Sequence, residues 1–129
     1  MKTNLLNLFA ALSLAAIPAA PAFAEDEAGN WKLGRIYYRA SCTACHEKEL
    51  GKSISPAEKT IAEWKLWAVS EKGGAHLDEY VSQDYRNLIA GENKVAAKFA
   101  PIPNQDMRDH VRAFVIHGAK DSATPATCN

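Results

Sequence analysis

The chain has 129 residues, of which 47% are hydrophobic, with 15 Lys and Arg against 15 Asp and Glu. That balance gives no support for nucleic-acid binding, which needs a basic excess or stripe to neutralise phosphates. A chain of this length, with no Pro/Ser/Gly-rich linker, argues for one core rather than two domains.

Lys2 supplies a positive n-region, residues 5–17 an apolar stretch, and Ala22, Phe23 and Ala24 a small-x-small cleavage site before acidic Glu25, Asp26 and Glu27. This predicts a cleaved secretory signal over residues 1–24. Pro18 and Pro21 interrupt the apolar stretch, leaving it short of the ~20 residues a membrane span requires. Residues 25–129 are the expected mature domain, exported to the periplasm with no membrane span. Losing Lys2 from 15 basic residues leaves one fewer than the 15 acidic ones.

From Asn30 to Ser41, Leu33, Ile36, Tyr37 and Ala40 recur at three- and four-residue steps, the period of a helix. Gly34 lies within it. Glycine costs about 1 kcal/mol of helix propensity against alanine, so its presence points either to a close helix–helix approach or to an imperfect helix start.

This helix leads into Cys42, Thr43, Ala44, Cys45 and His46. Two thiols three residues apart suit thioether bonds to the two vinyl groups on one edge of a porphyrin, and the next residue is an imidazole placed to ligate iron. The pattern predicts one covalent haem c, held by Cys42 and Cys45 with His46 as proximal iron ligand. A redox dithiol or half of a zinc site is the competing reading, but there is no second cysteine pair and no strand–turn–helix pattern of the thioredoxin kind.

Downstream, Ser55, Pro56 and Glu58 carry the residues of a capping box with proline at the first position. They predict a helix from there through Ile61, Trp64 and Ala68, ended or followed by Gly73 and Gly74. Leu77, Val81, Tyr85 and Leu88 describe the next amphipathic helix, stopping near Gly91. A short helix over residues 92–99 is closed by Pro101. Asn104 is the expected cap of a last helix carrying Met107, Val111, Phe114 and Val115 on one face and ending at Gly118. Residues 119–129 read as an irregular tail. No strand alternation is visible, and the expected fold is all-α.

These residues resemble small monohaem class I cytochromes c. In that family a Gly-x-x-x-aromatic helix precedes the attachment motif and crosses an aromatic-bearing C-terminal helix; Gly34, Tyr38 and Phe114 match those positions. The resemblance implies a bundle of four to five helices around the haem. A narrower likeness rests on Gly34 to Tyr38, on Ser55, Pro56, Lys59, Thr60 and Trp64, and on the tail with Asp121, Ser122, Pro125 and Cys128. It is to the NaxLS type of small bacterial cytochrome, and it implies histidine and cysteine as iron ligands, heterodimers with a second small cytochrome c, and binding of diatomic gases.

The distal ligand is the open question. Class I cytochromes usually place a methionine in a loop before the last helix, whereas here the loop reads Lys98 to Pro103 without one. Met107 is the only methionine past the signal, in a register that suits core packing. Cys128 is the cysteine left over once haem has used two, and as a thiolate it would stabilise ferric iron. His76 is the remaining candidate, giving bis-histidine ligation. His110 and His117, seven residues apart on the last helix, read as structural. The expected function is electron transfer with redox protein partners rather than enzymatic catalysis. Reversible binding of nitric oxide or carbon monoxide is the alternative.

Overall fold

The computed structural model describes residues 28–126. The segment expected to be a signal, residues 1–24, lies outside them, as does Cys128. Every regular element among the described residues is helical, so the protein is all-α there. No helix among them is long and apolar enough to cross a membrane.

Helix α1 (Trp31–Tyr37) opens on Asn30, whose side chain accepts from the N–H groups of Lys32 and Leu33. It runs through a π-helical stretch, Tyr38–Thr43, into α2 (Ala44–Leu50), which stops at Gly51 in the left-handed region, φ 62°. The C-terminal helix α7 (Asn104–His117) crosses α1. The crossing explains Gly34. A Cβ there would stand 2.6 Å from the carbonyl carbon of His110 and 3.0 Å from Phe114 Cβ, separations real side chains do not tolerate. Of the two sequence readings of Gly34, the close helix approach is therefore the one realised. Tyr38 and Phe114 meet edge-to-face beside it, with ring centres 5.2 Å apart at 63°, a favoured aromatic geometry.

The middle of the chain differs from the periodicity in three places. Ser55 and Glu58 form their capping box, but it caps only a single 3-10 turn, Pro56–Glu58, after which Lys59 is extended. Helix α3 (Ile61–Val69) begins instead at Thr60, whose hydroxyl accepts from Glu63 N–H while the Glu63 carboxylate accepts from Thr60 N–H at 2.7 Å. Gly73 and Gly74 follow α3 rather than ending it, and they lie in the first turn of α4 (Glu71–Val81). A Cβ on Gly73 would sit 2.7 Å from the Trp67 indole, so the glycine lets α4 turn tightly back on α3.

The expected helix through Leu88 is divided at Ser82 into α4 and α5 (Gln83–Ile89). One serine serves both ends: its hydroxyl donates to the Glu79 carbonyl at 2.7 Å and accepts from Tyr85 N–H at 3.1 Å. Ser70 does the same between α3 and α4, donating to Trp67 O and accepting from Gly73 N–H. The break at Ser82 rotates α5, so Leu88 is 80% exposed and Arg86 is fully buried. Arg86 donates to the carbonyls of Phe99, Ile102 (2.7 Å) and Ser82, and to Asn104 Oδ1 at 2.9 Å. Five guanidinium donors suit such a cluster of oxygens.

Asn93 starts α6 (Lys94–Phe99), accepting from Val95 and Ala96 N–H, and its amide donates to Ala40 O on the motif segment at 2.9 Å. Asn104 is the first residue of α7 rather than its cap, a place taken by Pro103; the Asn104 amide oxygen instead accepts from Gln83 N–H and Arg86. Ala119–Ala126 is irregular, as expected, but fastened down. Lys120 N–H donates to Lys59 O, Ile61 N–H to Asp121 Oδ1 at 2.7 Å, and Ala126 N–H to Gly118 O. The helices among the described residues are thus shorter and more numerous than the four to five expected, because the side chains of Ser70 and Ser82 end one helix and start the next.

Candidate cofactor site

Cys42, Cys45 and His46 follow one another at three- and one-residue steps in continuous helical backbone, which brings the three side chains to one face. They line a single cavity of about 220 Å³ with Leu50, His76, Tyr80 and Tyr85. The motif's face is thus opposed by α4 and α5. Both motif cysteines are free thiols. Burial, with Cys45 adjacent, pushes the Cys42 thiol up to about 12, so it is held as the neutral thiol.

His76 faces His46 across the cavity, with ring centres 6.1 Å apart and planes at 84°. Its imidazole also touches Tyr80 (4.7 Å) and Trp67 (6.1 Å), and Tyr80 meets Tyr85 edge-to-face at 4.9 Å. Burial chiefly, and then proximity to His46, holds the His76 pKa below the ordinary imidazole value. Its ring is therefore neutral at pH 7, the form in which imidazole binds metals. Tyr37 fixes the two halves of the site together: its hydroxyl donates to Tyr80 O at 2.6 Å.

Of the other proposed ligands, Met107 lies elsewhere and Cys128 is outside the described residues. Met107 is fully buried on α7 and does not line the cavity of the motif. The last described residues, Thr124, Pro125 and Ala126, line a separate hollow of about 640 Å³ with Thr43 and Glu47, which lie on a different face of the motif helix from Cys42 and His46. His110 and His117 on α7 do not line the cavity of the motif. His110 Nδ1 accepts from Asn30 N–H at 2.9 Å, and the His117 ring stacks on Trp31 at 3.9 Å.

The donor set fits a haem held by thioethers: two thiols and one imidazole on one face, opening on a cavity walled by tyrosine rings and Leu50. It does not form a closed cage for a bare ion, since no group of three or more His, Cys, Asp or Glu side chains among the described residues is gathered to hold one. Sequence reasoning named Cys42, Cys45, His46 and His76. It did not separate Tyr80 and Tyr85 from the other aromatics as cavity residues, because their place depends on the break at Ser82. Compared with protein-family models, with curated proteins and with solved structures, the chain matches none.

Proposed function

We propose that this chain is a monohaem c-type cytochrome that carries single electrons. The observation that carries this reading is the convergence of Cys42, Cys45 and His46 on one cavity. Cys42 and Cys45 would hold the porphyrin edge through their sulfurs, and His46 would ligate the iron from the motif's own helix. Bound there, haem supplies reversible one-electron chemistry, and the protein sets its potential through axial ligands and burial.

The chain's residues have the remaining tasks. Tyr80 and Tyr85 would offer the porphyrin aromatic surface on one side of the cavity. The α1–α7 crossing, locked at Gly34, fixes the helix that presents the motif. The 1–24 signal supports export to the periplasm, where such attachment takes place, and the resemblance supports a redox protein partner, including a second small cytochrome c as heterodimer.

The test is expression in a host competent for haem attachment, followed by mass spectrometry. One covalent haem per chain is expected, absent from the Cys42→Ala, Cys45→Ala double variant. A colourless product with the bare polypeptide mass overturns the proposal.

A further inference from the structure

We infer that His76, on α4, is the second axial ligand of the iron, making the site bis-histidine. The inference rests on the proposed haem attachment and adds the residue that completes it.

Three observations carry it. First, two imidazoles bound on opposite sides of one metal atom, at the ~2.0 Å length typical of metal–imidazole bonds, have ring centres roughly 6.3 Å apart. The rings of His46 and His76 are 6.1 Å apart, with planes at 84°. Both rings line one cavity with the two motif thiols.

Second, α4 is built to aim His76 there. Its other face, with Gly73, Gly74, Leu77 and Val81, is buried, which fixes the rotation of the helix and leaves His76 and Tyr80, four residues apart, on the side turned to the motif. Tyr80 is in turn held by the hydrogen bond from Tyr37 to its carbonyl. The ring is thus supported by neighbours rather than left on a free loop, as a ligand position requires.

Third, the competing described donor is placed elsewhere: Met107 is sealed in the core. The described end of the chain, Thr124–Ala126, lines the hollow beside Thr43 and Glu47 and not the cavity of His46.

The experiment is low-temperature electron paramagnetic resonance and near-infrared magnetic circular dichroism of the ferric holoprotein, run on wild type, His76→Ala and Cys128→Ala, after mass spectrometry has established covalent haem in each. Wild type and Cys128→Ala are expected to give the same low-spin bis-imidazole spectra. His76→Ala is expected to become high-spin and to return to low-spin when imidazole is added. His76 is an exposed helix position, and unchanged far-ultraviolet circular dichroism separates ligand loss from misfolding. A thiolate-type signal in wild type that Cys128→Ala abolishes, or a His76→Ala spectrum identical to wild type, overturns the inference while leaving the cytochrome reading intact. Absence of covalent haem overturns both.

Discussion

Gly34 on α1 lies directly against the backbone of His110 on α7, close enough that a Cβ at residue 34 would collide with the His110 carbonyl. The His110 side chain also accepts, through Nδ1, from the backbone N–H of Asn30 at the start of α1. The first and last described helices are thus joined by both packing and hydrogen bonding, and the motif continues from the first of them.

Substituting Gly34→Ala forces these helices apart. Overpacking of this kind costs about 1–3 kcal/mol. Gly91→Ala, where nothing lies within 4 Å of the added carbon, is the control and should change stability by less than about 0.5 kcal/mol. Urea denaturation of both variants beside wild type measures the difference; equal midpoints would refute the account of the crossing.

Arg86→Met should be strongly destabilising, by about 3 kcal/mol, because it strands buried carbonyls of Phe99 and Ile102 that the guanidinium satisfies. Arg86→Lys should recover little of this, since one ammonium cannot reproduce the planar fork. Chemical denaturation reads both variants, and the prediction fails if Met is as stable as Arg.

Ser82→Ala removes a hydroxyl that serves the end of α4 and the start of α5 together. Loss of a single N-cap costs about 1 kcal/mol, so at least that much is expected here. Amide hydrogen exchange should speed at Tyr85, whose N–H loses its acceptor. Unaltered exchange there would show that the serine does not hold the break.

Glu63 gives a pH dependence of known sign. Its hydrogen bonds with Thr60 hold the carboxyl below its ordinary range. The folded state therefore binds the proton less readily than the unfolded chain, and the stability this adds is present above about pH 4.5 and lost as the pH falls further. In Glu63→Gln that part of the acid dependence should vanish, as thermal midpoints measured from pH 3 to pH 7 would reveal.

Much of this was readable in the residues. The spacing of Cys42, Cys45 and His46 needs no tertiary context to be read, and Met107, Val111, Phe114 and Val115 are all buried on α7 as their register predicts. Gly34 stood out because glycine is costly inside a helix. Ser82 was not legible, since the apolar period of Leu77, Val81, Tyr85 and Leu88 runs across it and only the backbone shows the serine turning the chain in one residue. Arg86 was hidden for the same reason: its burial follows from the rotation that Ser82 imposes. That His76 lies across from the motif was not legible either, because it is a property of packing alone.

The serines at 70 and 82 have one more effect. Each is a single extended residue, with ψ of 153° and 151°, at either end of an 11-residue helix. Between those joints the roll of the rod is set by the packed Gly73, Gly74, Leu77 and Val81. The 76 imidazole and the tyrosine one turn along it are therefore indexed together, so the width of the gap and the reach of the ring follow from the same two joints.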